Sequence, residues 1–247
     1  MPGSVLILAG TGLARRLCAR VADCDVLASL AGVTEVPADL AVPVRTGGFG
    51  GEAGFRAALG GIAAVLDATH PFAVRISGRT ARVCAEMGLP LLRLEAPPWP
   101  DDPSWHRYAN ADAVANALPA GARVFLSTGP GSLDPFLGRG FDLFCRRIDP
   151  APAREGVHWI VGRPPFATPD ERALFASLRI TDLVTKDSGG ARAKLDAAAE
   201  LGVAVHVIDR PPPGAVTCET TDDLDRAEAF VRAHAAGRPP GGADHPR

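Results

Sequence analysis

The sequence carries almost no net charge of either sign: 26 Lys and Arg stand against 28 Asp and Glu in 247 residues, a formal −2. It therefore lacks the overall basic footprint that draws a chain to nucleic acid or an anionic membrane, and neither is expected as a partner. Any anion site has to be local. No apolar run is long enough for a membrane span or a signal peptide. The N-terminus enters the short apolar stretch 5–9 without a basic lead-in, so a cytoplasmic protein is expected. The five cysteines (Cys18, Cys24, Cys84, Cys145 and Cys218) are odd in number and scattered, with neither C-x-x-C nor Cys/His metal spacing. No metal site is expected, and most of them are expected as reduced core residues, Cys18 and Cys84 lying in apolar helical patterns. The one tyrosine, Tyr108, is followed four positions later by Asp112. The Tyr-x-x-x-Lys pair of a short-chain dehydrogenase or epimerase is thus missing.

What is present is an ordinary globular composition, 47% hydrophobic and 22% charged, in a chain long enough for one large α/β domain or two small ones. Apolar strand-like runs at 5–8, 26–30, 64–67 and 91–94 alternate with helical spacing at 13–21 and 76–87, and Gly88 is placed to end the second helix. Such alternation predicts a mostly parallel sheet covered by helices. The segment 96–104, APPWPDDPS, holds four prolines and reads as a linker. Alternation then resumes, with strands at 123–127, 141–148, 182–185 and 203–208 and helices at 171–178 and 191–201. A last helix is expected over 222–235, N-capped by Thr221. The reading divides the chain into a domain at 1–97, a linker at 98–105, a second α/β domain at 106–236 and a Gly/Pro-rich disordered tail at 237–247.

Five segments carry candidate chemistry. Gly10-Thr11-Gly12 lies between the first strand and the first helix, where glycines admit a phosphate to the backbone and the helix N-terminus supplies unpaired N–H groups. Arg15 stands where the full G-x-G-x-x-G fingerprint needs a small residue. About 20 residues after such a turn, NAD sites place a carboxylate on the ribose 2′-hydroxyl. Here the strand end reads Ser29-Leu30-Ala31-Gly32-Val33-Thr34. A 2′-phosphate meets no repulsion there, Ser29 and Thr34 can donate to it, and Arg45 is a nearby cation, so NADPH is favoured over NADH. The glycine-rich run after Arg45 includes Gly47, Gly48 and Phe49 and can line an anion or a flat cofactor. Asp67-Ala68-Thr69-His70 ends an apolar strand, where ligands of open α/β sheets bind, and His70 can relay a proton near neutral pH. Lys186-Asp187-Ser188-Gly189-Gly190, with Lys194 a helical turn further, makes an anion site without the P-loop order. Thr128, Arg163 and Arg210 also follow strand candidates and can converge on it.

In order, these segments resemble the precorrin-6A reductase family, whose members are also described as cobalt-precorrin-6A reductases. The likeness runs from residue 4 to about 213 and rests on residues 8–11, 29–32, 44–51, 67–73 and 126–129. It continues through Arg163 with Pro165-Phe166, Glu171, residues 184–190, 193–195 and Arg210-Pro211. Val33, Leu13, Pro130 and Asp187 depart from the pattern, where Arg, an acid, Arg and Asn are usual. The resemblance implies two Rossmann-like three-layer domains and NADPH-dependent reduction of a double bond in a tetrapyrrole macrocycle, with transient contact with neighbouring pathway enzymes. On the cofactor side it implies the glycine-rich segments and residues 67–73, with Asp67 and His70 placing the nicotinamide or relaying a proton. On the substrate side it implies Lys186 to Gly190, Lys194 and Arg210 for carboxylates, and Lys186 also for charge developing in the reaction. A nucleotide-sensing module without catalysis and a methyltransferase remain open from the residues alone.

Overall fold

The computed structural model describes residues 3–32, 40–212 and 218–237. The expectations placed on Val33, Thr34 and residues 238–247 lie outside them. The chain forms two compact units, one of Met1–Pro97 with Pro212–Arg247 and the other of Pro98–Pro211.

The first unit opens with β1 (Ser4–Leu8), α1 (Gly12–Arg20), β2 (Val26–Leu30) and β3 (Val44–Thr46). It continues with α2 (Gly51–Ala58), β4 (Ile62–Asp67), α3 (Val74–Met87) and β5 (Leu91–Leu94). Its sheet is parallel, in the order β12-β5-β4-β1-β2-β3, where β12 is Glu219–Thr221. A strand buried on both faces has no polar side to show, and β1 has none. Val5 and Ile7 face a cluster with Leu17 and Cys18 of α1 and Ala227 and Val231 of α7 (Leu224–His234), whereas Leu6 and Leu8 face Phe55 of α2 and Val83 and Cys84 of α3. Gly88 does end α3, in the left-handed conformation expected of a C-cap glycine.

The second unit contains β6 (Trp105–Tyr108), α4 (Ala111–Ala117), β7 (Arg123–Leu126), β8 (Asp142–Arg147) and β9 (Val157–Val161). After them come α5 (Thr168–Ser177), β10 (Asp182–Lys186), α6 (Ala193–Leu201) and β11 (Ala204–Ile208). The sheet is again parallel, ordered β6-β11-β10-β7-β8-β9. Phe125, Phe144, Leu183 and Val205 pack on one face against Phe175 of α5 and Leu195 of α6.

The α/β class and the parallel sheets match the reading of the sequence, but the domain limits need correction. The terminal segment belongs to the first unit, because β12 pairs with β5 and α7 packs its apolar stripe on the face that α1 also covers. The proline-rich segment is irregular, as its composition demands, yet it is no free linker. Trp99 and Trp105 are buried in the second unit's core and Trp105 begins β6. Asp223, not Thr221, caps α7, its carboxylate accepting from the Asp225 amide. Gly237 bridges Cys24, so ordered chain reaches into the segment expected as tail. All five cysteines are free, and burial raises the thiols of Cys18, Cys84 and Cys145 to about 11. No helix among the described residues is long and apolar enough to cross a membrane.

Candidate active-site segments

In each sheet the chain progresses one way and then reverses: β1, β2 and β3 run outward before β4 returns beside β1, and β7, β8 and β9 run outward before β10 returns beside β7. Loops at such a reversal splay to opposite faces and leave a crevice beyond the carboxyl strand ends, where open α/β sheets bind ligands. The glycine turn and the Asp67–Ala73 loop flank the first reversal. Thr128 and Lys186 flank the second.

Thr11 is the N-cap of α1: its Oγ1 accepts from the Ala14 amide at 3.2 Å and donates to the Ala68 carbonyl at 3.0 Å. One side chain thus joins both loops of the first reversal. α1 has no acid in its first turn, and its amide end opens at the turn of Gly10 to Gly12.

At the end of β2, Ser29 is buried and its Oγ accepts from Nη1 of its register partner Arg45 at 2.8 Å. Arg45 also donates to the Gly48 carbonyl, and its guanidinium lies 3.9 Å from the centroid of the Phe49 ring. Gly32, just past Leu30 and Ala31, has φ +72°, and a Cβ there would stand 2.9 Å from the Gly47 nitrogen, so glycine is what lets the two loops meet. Gly54 likewise accommodates the Phe49 carbonyl, which a Cβ would overlap. Phe49 packs edge-on against Phe55, and the Arg79 guanidinium of α3 lies over both rings. Burial pulls Arg79 below its usual value, and its Nε is buried with no hydrogen-bond partner among the described residues.

Asp67 is 2% exposed and engaged at both oxygens. Oδ1 accepts from the Thr69 amide at 3.0 Å and from Thr69 Oγ1 at 2.7 Å, while Oδ2 pairs with Arg93 at 3.0 Å. His70 accepts the Phe72 amide at Nδ1, 3.2 Å, which places the proton of a neutral ring on Nε2.

In the second unit, Lys186 ends β10 and donates from Nζ to the Thr128 carbonyl at 3.2 Å, and burial lowers its pKa from the usual lysine value. The Oγ1 of Thr128 is buried with no partner among the described residues. Ser188, Gly189 and Gly190 turn tightly after Lys186, Gly189 and Gly190 both at positive φ. Arg210 follows β11, next to β10, and donates from Nε to the Asp187 carbonyl. Arg163 does not join this group: it follows the edge strand β9, three strands from β10 and so roughly 14 Å away at ordinary strand spacing, and pairs with Asp149. Lys194 lies with its ammonium 4.9 Å from the Trp99 ring, and burial lowers it to about 8.

Several supporting residues escaped the sequence reading. Arg93 braces Asp67, and Arg107 pairs with Asp187, whose carboxylate also accepts from the Trp99 amide. Arg146 donates from Nη1 to both oxygens of buried Glu171, at 2.7 and 2.8 Å, its guanidinium 4.8 and 4.0 Å from the Phe125 and Phe166 ring centroids. The available signal was a lone arginine inside a buried strand, which demands a partner without naming it.

The fold defines a protein of two Rossmann-like α/β units, each gathering polar strand-end loops at its chain reversal. Residues 4–232 match the family model described as precorrin-6x reductase CbiJ/CobK, and the chain belongs to that family. It is similar to the precorrin-6A reductases of Rhodococcus erythropolis (41% identical, 92% of this chain and 96% of that one) and Mycobacterium tuberculosis (42%, the same coverage). The cobalt-precorrin-6A reductase of Synechocystis is 31% identical over 70% of this chain and 72% of its own. A solved structure, CobK precorrin-6A reductase, superposes with a TM-score of 0.88 at 34% identity, covering 98% of this chain and all of that one.

Proposed function

We propose that this chain reduces one double bond of the precorrin-6A macrocycle to give precorrin-6B, a step of cobalamin biosynthesis, with NADPH as reductant. The observation that carries the reaction is the 41% identity, across 92% of the chain, to a precorrin-6A reductase. The higher identity to that relative than to the cobalt-precorrin enzyme supports a metal-free macrocycle. The chain is an oxidoreductase of CH–CH bonds, and membership of a reductase family implies a nicotinamide cofactor.

The nicotinamide, when bound, supplies the hydride, and the macrocycle accepts that hydride at one carbon and a proton at its neighbour. The amide end of α1, with Gly10, Thr11 and Gly12, holds the pyrophosphate. Leu30, Ala31, Gly32, Gly47 and Gly48 line the adenosine through their backbone. Ser29 in place of a carboxylate supports NADPH, as does Arg45, which Ser29 and the Phe49 ring hold in place. Arg79 shares that ring and offers a second cation to a 2′-phosphate. Asp67, with both oxygens engaged, shapes the Thr69–His70 turn rather than donating a proton. His70, with its proton on Nε2, offers a hydrogen-bond donor near the nicotinamide, and the proton the macrocycle takes up comes from water.

On the substrate side, Lys186, Ser188, Gly189 and Arg210 take up macrocycle carboxylates, and Thr128 Oγ1 gains the partner its burial calls for. The partly desolvated ammonium of Lys186 also stabilises negative charge that develops on the ring as hydride arrives. Arg163 reaches a peripheral carboxylate of a wide substrate. Lys194, turned onto Trp99, supports the loop rather than the ligand. Titration with NADP+, NAD+ and S-adenosylmethionine tests the cofactor assignment: tighter binding of NADP+ supports it, and equal dinucleotide affinities or binding of the methyl donor alone contradict it.

A further inference from the structure

Lys186 and Arg210 stand at the ends of adjacent strands, and each is followed or preceded by an aspartate, Asp187 and Asp209. Both aspartates meet one side chain. Arg107, on the edge strand β6, donates from Nη2 to Asp187 Oδ2 at 2.8 Å and from Nε to Asp209 Oδ1 at 2.7 Å, with Asp101 3.6 Å from Nη1. Asp187 is 1% exposed. Its other oxygen accepts from the Trp99 amide at 3.1 Å, its amide donates to the Ile208 carbonyl, and its carbonyl accepts from Arg210 Nε at 2.9 Å. A buried carboxylate without a cation is strongly disfavoured, so the placement of this loop depends on the guanidinium reaching it. Carboxylates surround Arg107, so its charge is already neutralised; what it supplies is a planar fork that holds two loops at a fixed separation.

We propose that Arg107 is a positioning residue for the tetrapyrrole: by bridging Asp187 and Asp209 it sets the spacing and direction of Lys186 and Arg210 as a carboxylate-binding pair. This rests on the substrate reading above. Because misplacing binding groups weakens a geometry-dependent site, Arg107→Met should raise the KM for precorrin-6A about tenfold, lower kcat as Lys186 loses its place, and leave NADP+ affinity unchanged. Arg107→Lys keeps the charge without the fork and should retain most of the defect. Asp187→Asn, which preserves an acceptor for the Trp99 amide, should raise KM similarly, and the double variant Arg107→Met/Asp187→Asn should be no worse than the more severe single one, because both cut one link.

The kinetics and cofactor titrations are run on the full chain beside thermal unfolding. A lowered melting temperature with KM unchanged would make Arg107 a brace of the fold only and overturn the proposal. So would a parallel loss of NADP+ affinity, full rescue by lysine, or additive defects. A wild-type chain that turns over no tetrapyrrole would instead sink the substrate reading, and this inference with it.

Discussion

Lys186 donates from its Nζ to the main-chain oxygen of Thr128, 3.2 Å away, across the line where β10 meets β7. The first unit repeats the motif with another residue type, Thr11 Oγ1 reaching the Ala68 carbonyl at 3.0 Å between the ends of β1 and β4. In both, a side chain from one loop ties down the loop opposite. The donor at the second reversal carries charge, which suits a ligand rich in carboxylates. Losing a charged hydrogen bond costs about 1.5–3 kcal/mol, so Lys186→Met should lower kcat/KM for precorrin-6A by roughly ten- to hundredfold with NADP+ affinity unchanged. Normal binding and reduction of the tetrapyrrole by this variant would remove Lys186 from the site.

Arg45 tests the cofactor side. A guanidinium on a phosphate is worth a similar amount, so Arg45→Met should weaken NADP+ about ten- to hundredfold and leave NAD+ unaffected. Equilibrium titration of both dinucleotides reads this directly. Equal losses for the two would place Arg45 away from the 2′-phosphate.

Asp67 is assigned to shape and not to proton transfer. Replacing it with Ala releases Thr69 and Arg93 together, and turnover should fall more than NADP+ affinity does. Turnover that matches wild type would dismiss the role.

The Arg146–Glu171 pair is a stability element. Removing one partner of a buried pair leaves the other charge uncompensated, at a cost of about 3–5 kcal/mol. Glu171→Gln should therefore lower the urea midpoint sharply, and the double change Arg146→Met/Glu171→Leu should recover much of the loss. A midpoint unmoved by Glu171→Gln would show the pair to be energetically idle.

Lys194 makes stability depend on alkaline pH. Burial lowers its pKa from 10.5 to about 8, so below pH 8 folded and unfolded chains both carry the proton and the folded chain bears the whole cost of the buried charge. Between pH 8 and 10.5 the folded chain gives up the proton first, and the cost fades. The stability of Lys194→Met relative to wild type should therefore be greatest near neutral pH and decline toward pH 10.5. A pH-independent difference in unfolding free energy would contradict the burial.

Among the described residues, all eight interior strands of the two sheets were legible in the sequence, and none of the four edge strands was. Interior strands such as β1 and β4 are continuous apolar runs because helices cover both faces. The edges β3, β6, β9 and β12 are half-exposed and only three to five residues long, and that signal sinks into the surrounding loops. The site divided the same way. Glycines, Ser29, Asp67 and Lys186 could be found because each sits at a strand end. Arg79, Arg93 and Arg107 could not, because each acts through a partner far along the chain, and a lone arginine in a sequence does not say whom it will meet. Domain limits failed for a related reason: β12 and α7 return to the first unit through pairing and packing that no local pattern announces.

The most direct test is anaerobic oxidation of NADPH by the purified chain with enzymatically prepared precorrin-6A, with NADH and the cobalt-containing macrocycle as parallel arms. The account predicts tetrapyrrole-dependent oxidation, one NADPH per macrocycle reduced, faster with NADPH than with NADH and with the metal-free ring than with the cobalt ring. No oxidation by folded protein, on substrate that a known reductase consumes, would contradict it.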